Sequence, residues 1–281
     1  MKRLLQFWYF PVLATTVCAC AAFNSISDPD ELGRTLDYAL LEIPTIYLKK
    51  GTPSLGGYFK DVKPEFDKIS SEKKIPLVIY LHGCDGIHLS LLKDMDFLVR
   101  NNYAVIAPDS FARKFRPRSC DPSTYTGGLF RGVLSFRLAE ARHAHEVAKT
   151  LPRVDKKNIF MMGFSEGGIT TARYGRGGLA GRIILGWTCN AGWPEYAGIS
   201  GPRNEPILAV VASNDPWFTT SATMGDCGDF MLFRPNSESI VIDVSTPTHW
   251  VGYCPEVKAK ILHFLKTNRR PQACRRSKVQ Q

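Results

Sequence analysis

Ile159-Phe160-Met161-Met162-Gly163-Phe164-Ser165-Glu166-Gly167-Gly168 is the stretch on which the fold turns. Four bulky apolar residues run straight into a G-x-S-x-G pattern, and Glu166 to Tyr174 then carries helical patterning. A strand, a sharp turn and a helix is the context in which such a serine is held in a strained conformation with its hydroxyl exposed. Gly163 and Gly167 fit that turn because a residue without Cβ lets neighbouring backbone approach. The helix N-terminus beneath Ser165 favours negative charge as it develops.

Working outward, short β-branched apolar runs alternate with longer helical segments. Strands are expected at Leu77 to Leu81, Ala104 to Ala107, Ile159 to Met162, Ile183 to Trp187, Ile207 to Ala212 and Ser239 to Val244, with Ile43 to Leu48 as an earlier edge strand. Helices are expected at Leu89 to Asn101, Arg131 to Thr150, Glu166 to Tyr174 and Pro255 to Asn268, the last with a first-turn proline. This alternation predicts an α/β fold, a mostly parallel sheet with helices on both faces. Ligands then bind beyond the carboxyl ends of the strands.

The chain of 281 residues is 44% apolar and 22% charged, which argues for one packed domain and against disorder. That domain is expected over residues 22–268. Residues 1–21 read as an export signal: Met1-Lys2-Arg3 is basic, Leu4 to Val17 is apolar but short for a membrane span, and Cys18 to Ala22 is a run of small residues. Cleavage after Ala21, a lipid on Cys20 that attaches the chain to a membrane, and an uncleaved anchor helix are the three alternatives. Residues 269–281 form a basic tail.

The net charge of +10 does not point to nucleic acid. Pro255 to Gln281 holds eight cations against one acid, and Lys2 and Arg3 leave with the signal, so the body is close to neutral. No nucleic-acid module is visible. Six of the eight cysteines lie past the signal, at 84, 120, 189, 227, 254 and 274, with no zinc spacing. An even number in an exported chain reads as a disulfide framework. The pairs expected are Cys84 with Cys120, Cys189 with Cys227, and Cys254 with Cys274, the first two following neighbouring strand ends. No metal or cofactor is expected.

A serine hydroxyl needs a base, and the base needs a partner that fixes its tautomer. His249 follows the last strand and lies C-terminal to Ser165, whereas His88 precedes the serine and His143, His145 and His263 fall within helices. For the acid, Asp215 sits just past the strand Ile207 to Ala212; Asp226 and Asp229 lie farther into a loop, and Asp243 is placed in the last strand. The tetrahedral oxyanion needs two donors, each worth about 100- to 1000-fold in rate. The backbone N–H groups of Glu166 and Cys84 are expected there, the second from His82-Gly83-Cys84-Asp85-Gly86. His82 orients that loop. Trp187, Trp193, Trp217, Phe218, Trp250 and Tyr253 are candidates for an aromatic-lined pocket, with core packing the alternative for each. Arg113, Arg116 and Arg118 read as a solvated loop, with attraction of an anionic substrate as the alternative.

Together, Pro76-Leu77-Val78-Ile79-Tyr80-Leu81-His82-Gly83-Cys84, Ala107-Pro108-Asp109-Ser110-Phe111, the serine turn, Asp215 and His249 resemble the α/β-hydrolase superfamily over about residues 76–265, nearest its dienelactone hydrolase-like branch. The resemblance implies an α/β-hydrolase fold, a Ser165–His249–Asp215 triad, a structural role for Asp109, and cleavage of a small-molecule ester or lactone. The chain departs from dienelactone hydrolases proper in carrying Ser165 where they carry cysteine. The Leu81 to Cys84 run is also similar to secreted polyhydroxyalkanoate depolymerases and feruloyl esterases, which keeps a second substrate class open. A non-catalytic binding protein of the same fold is the alternative of another kind.

Overall fold

The computed structural model describes residues 25–52, 54–69 and 74–271. The signal with Cys20, Cys274, and the tail beyond residue 271 lie outside the described residues.

The helical patterns translate into α1 Pro29–Asp37, α2 Phe59–Asp67, α3 Leu89–Arg100, α4 Arg131–Thr150, α5 Glu166–Arg173 and α6 Pro255–Thr267. The strands of the main sheet are β1 Leu40–Ile43, β2 Leu55–Tyr58, β3 Ile75–Leu81, β4 Ala104–Ala107, β7 Val154–Phe164, β8 Gly181–Leu185, β9 Ile207–Ala212 and β10 Glu238–Ile242. Between β4 and α4, β5 Cys120–Asp121 and β6 Thr126–Gly127 make a short hairpin.

The main sheet has eight strands in the order β10-β9-β8-β7-β3-β4-β1-β2. Pairing is parallel from β10 through β4 and antiparallel at β1 and β2. Period-two side-chain alternation explains how β3 serves both faces. Leu77, Ile79 and Leu81 pack with Phe66 of α2 and Ala141, Ala144 and Ala148 of α4. Val78 and Tyr80 pack with Leu91 and Met95 of α3 and with Ile261 and Phe264 of α6. All seven residues of β3 are buried, as a strand covered on both faces must be.

Chain order reverses between β3 and β7, which are neighbours in the sheet although β4 to β6 intervene in sequence. Such a switch point leaves a crevice outside the strand ends. It brings the segment after Leu81 beside the segment after Phe164.

Several strands differ from expectation: β7 begins at Val154 and not Ile159, and β10 ends at Ile242, so that Asp243 lies past the last strand and not within it. The strand expected over Ile43 to Leu48 instead ends at Ile43, Pro44 follows, and Thr45–Tyr47 is a single 3-10 turn. It is also not an edge, because β1 pairs with β4 on one side and β2 on the other. Proline has no N–H to give a ladder, so Pro44 stops the strand. The run expected to end at Trp187 ends at Leu185, because Gly186 takes φ +61°.

Candidate active site

Ser165 sits between β7 and α5 with φ +56° and ψ −119°. A non-glycine residue at positive φ is strained and persists only when its surroundings over-determine it. They do: the Ser165 N–H donates to the Leu185 carbonyl at 2.8 Å, while its own carbonyl accepts from Ile169 N–H at 2.9 Å. A Cβ on Gly163 would lie 2.0 Å from the Gly167 carbonyl oxygen, and one on Gly167 would lie 1.9 Å from that of Leu81. The two glycines therefore allow α5 to press against both β7 and the end of β3.

His249, past β10, donates from Nδ1 to Asp215 Oδ2 at 2.7 Å. Asp215 is buried and its other oxygen accepts from Trp217 N–H at 3.0 Å, so the carboxylate is fixed in orientation. A carboxylate at Nδ1 makes that nitrogen the donor and leaves Nε2 as the lone-pair side. His249 Nε2 is buried without a hydrogen-bond partner among protein atoms. Its ring is boxed in by Phe164, Trp217 and Phe218, with centroids 4.9, 5.5 and 5.8 Å away.

Ser165, His249, Cys84 and Glu166 line one cavity of about 60 Å³, with Gly127, Gly128, Leu129, Ile169, Gly186, Trp187, Trp217, Phe218 and Thr223 around them. All five residues singled out from the sequence are thus brought together, Asp215 behind His249 and the other four on the cavity wall. The expected aromatics divide. Trp187, Trp217 and Phe218 line the cavity, whereas Trp193 and Tyr253 are exposed. Trp250 instead donates through Nε1 to Asp94 Oδ2 at 3.2 Å, and Tyr80 donates to the same oxygen at 2.6 Å. Asp94 was not visible as a site residue in the sequence, yet it ties the segment just after His249 to β3. Burial raises its carboxyl above the usual range, and the Tyr80 hydrogen bond counters that.

His82 is buried, with Nδ1 at 2.6 Å from the Gly83 carbonyl and Nε2 accepting from Ser110 N–H at 3.0 Å. Burial, reinforced by the positive charge of Arg137, holds it well below the ordinary histidine range. It is neutral and occupied on both nitrogens, which suits a residue that orients a loop. Cys84 is bonded to Cys120 and Cys189 to Cys227, while Cys254 is joined to no described cysteine.

The arginines overturn their reading as a solvated loop. Arg113 and Arg116 have side chains 0% and 1% exposed and are paired with Glu140 and Glu166 at 2.5 and 2.6 Å. Neither is free for an anionic substrate; only Arg118 is exposed. Arg137, also buried, completes this cluster. A signal for it existed in the sequence: Val133, Arg137, Glu140, Ala141, Ala144 and Ala148 fall on one helical stripe, so two charges stand among core positions. Among the described residues no group of three His, Cys, Asp or Glu side chains is placed to hold a metal ion.

No protein-family model and no curated protein matches this chain. Solved structures do. A dienelactone hydrolase-like promiscuous phosphotriesterase from metagenomic libraries is similar at 16% identity and TM-score 0.53, over 70% of this chain and 88% of that one. Est1E from Butyrivibrio proteoclasticus is similar at 14% identity and TM-score 0.49, over 82% and 93%. An esterase from Pyrobaculum calidifontis is similar at 15% identity and TM-score 0.46, over 92% and 94%. With the sheet order and the strand, serine turn and helix above, the first of these defines the class: the chain has the α/β-hydrolase fold. At such identities the likeness concerns the fold alone.

Proposed function

We propose that the protein is an exported serine hydrolase that cleaves a carboxylic ester or lactone through an acyl-enzyme on Ser165. The observation that carries this reading is the Asp215–His249 pair, with its unpartnered Nε2 on the cavity that Ser165 also lines. His249 takes the Ser165 proton as Oγ attacks the carbonyl carbon, and Asp215 stabilises the imidazolium that results. The oxyanion is received by the N–H groups of Glu166 and Cys84. The alcohol leaves with the proton from His249, and water repeats the sequence to release the acid. The esterase and dienelactone hydrolase-like proteins that share the fold support this reaction class. The cavity of about 60 Å³, walled by Ile169, Trp187 and Phe218, suits a small acyl group.

Export is supported by the reading of residues 1–21 and by two disulfides, which persist in oxidising compartments. Among the described residues no helix is long and apolar enough to cross a membrane. Intact mass of the mature protein separates cleavage after Ala21 from a lipid on Cys20.

The test is covalent. A fluorophosphonate is expected to add to Ser165, and Ser165→Ala to abolish both labelling and hydrolysis of short p-nitrophenyl esters. Undiminished labelling of Ser165→Ala, or a wild-type chain that never labels, removes the proposal.

A further inference from the structure

Beneath the serine turn lies a charge cluster sealed from solvent. Glu166 is 4% exposed, and both its carboxylate oxygens are engaged: Oε1 accepts from Arg116 Nη2 at 2.6 Å, and Oε2 accepts from the Ser119 hydroxyl. Arg137 Nε stands 3.5 Å from the same Oε1. Glu166 therefore lines the cavity while its acid faces the cluster.

The cluster reaches Cys84 by two routes, one from Arg137 and one from Glu166 through Ser119. Arg137 Nη2 donates to the His82 carbonyl at 2.7 Å and Nη1 to His82 Nε2 at 2.8 Å, two residues before Cys84. From the other side, Ser119 precedes Cys120, which is disulfide-bonded to Cys84. Arg116 is fixed in turn by donating from Nε to Ser110 Oγ at 2.9 Å and from Nη1 to the Pro117 carbonyl at 2.5 Å. Glu140 closes the far side, accepting from Arg113 Nε at 2.5 Å and from Ser110 Oγ at 3.1 Å, with Arg137 at 3.7 Å.

A buried ionic cluster is a poor way to gain stability, because the desolvation of its charges offsets their attraction. Apolar side chains of the same volume would fill this space as well. What they would not supply is direction: a guanidinium fork fixes both distance and angle, where apolar packing slides. Direction is what an oxyanion hole requires, since its donors act only when aimed at the place where charge develops.

We infer that Arg116 and Arg137 are positioning residues that hold the Glu166 and Cys84 N–H groups in mutual register for the oxyanion. The inference rests on the serine hydrolase reading above. It assigns the cluster to the transition state and not to ground-state binding, because both arginine side chains are only 1% exposed and neither lines the cavity.

Arg137→Lys and Arg116→Lys keep the charge and lose the fork. In the full purified chain, each is expected to lower kcat about 10- to 100-fold with KM within about twofold. Affinity for an aryl boronic acid or trifluoromethyl ketone, which places an oxyanion in the hole, should fall by the same factor, while affinity for the product alcohol is kept. Arg182→Lys is the control: its ion pair with Glu205 at 2.7 Å is as deeply buried, but it stands at β8 and bonds the C-terminal end of α5, with no hydrogen bond or ion pair to Glu166, His82 or Ser119. If the Arg116 and Arg137 variants behave like Arg182→Lys, losing thermal stability with an unchanged ratio of analogue to alcohol affinity, the inference is overturned. Should the lysine variants not fold, Ser119→Ala removes one link only; a parallel fall in kcat and analogue affinity supports the inference, and an unchanged ratio overturns it. Wild-type protein that fails to label at Ser165 would sink the hydrolase reading itself, whereas labelled wild type with unaltered ratios in the variants sinks the positioning role alone.

Discussion

Asp215 is one of several carboxylates that the chain offers between Ser165 and His249, and its surroundings separate it from the rest. Asp226 turns Oδ1 back to Gly228 N–H at 2.5 Å, closing its own loop. Asp215 is carried at the end of β9, and the neighbouring Asn214 donates to the Val244 carbonyl at 2.7 Å, so the loops after β9 and β10 are latched together. Asp215→Asn should therefore leave the protein folded with KM little changed, yet cut kcat on the order of 10⁴-fold, because an amide can stabilise the wrong histidine tautomer. Ester turnover by the variant checks this, and activity within tenfold of wild type would deny Asp215 the role. Ser165, His249 and Asp215 were legible in sequence because their chemistry constrains residue type and order. Arg137 could be read as a charge on the core stripe of α4, though not its partners; Asp94, Arg116 and Ser119 could not, because each reads by itself as an ordinary polar residue. Only tertiary packing shows that they are buried and share partners.

Helix α4 shows the same divide at the scale of an element. Its bounds, Arg131–Thr150, were fully legible from helical patterning, yet its buried stripe carries Arg137, Glu140 and His145 beside the alanines. His145 is buried against Tyr174, with Nδ1 2.8 Å from the phenol oxygen, and Gly178 lies close to the ring edge. Burial lowers its pKa to about 4 from an ordinary 6.5; the positive charges of Lys149 and Arg182 act in the same direction and Glu146 opposes them. Between those values the unfolded chain binds a proton at this residue that the folded chain does not. The stability tied to a neutral His145 is thus complete above pH 6.5 and is lost as pH falls toward 4, amounting to about 3 kcal/mol. His145→Gln is expected to flatten the fall in unfolding free energy between pH 6.5 and 4, measured by urea titration. A slope equal to that of wild type would show that other groups, buried His82 among them, carry the whole effect. The elements that the sequence missed were helices α1 and α2, strand β2 and the β5–β6 hairpin. Leu55–Tyr58 contains two glycines, and the hairpin strands have two residues each, too short for a period to be seen.

On the scale of the molecule, the two disulfides close loops of similar length but stand in different relation to the cavity. Cys84–Cys120 spans 36 residues and Cys189–Cys227 spans 38, so loop closure gives each about 3–4 kcal/mol of stability. The parallel sheet followed from the alternation of elements, and the two pairings followed from which strand ends are neighbours, whereas the switch point between β3 and β7 came only with the strand order. The antiparallel turn of the sheet at β1 and β2 did not, because a strand's direction is set by the length and route of its connections and not by its own residues. Both double variants, Cys84→Ser with Cys120→Ser and Cys189→Ser with Cys227→Ser, are expected to lose similar thermal stability, roughly 6–14 °C in Tm for a domain of this size. Their kinetics should part. The first bridge anchors Cys84, the proposed second oxyanion donor, so its loss should lower kcat while KM holds. The second encloses Trp217, Phe218 and Thr223 on the cavity wall, so its loss should raise KM and relax the preference for short acyl groups. Calorimetry and a chain-length series of p-nitrophenyl esters check the two halves separately. Equal kinetic losses in both variants would mean that the bridges serve the fold alone and that the oxyanion donors are held by the Arg116–Arg137 cluster without help from Cys120.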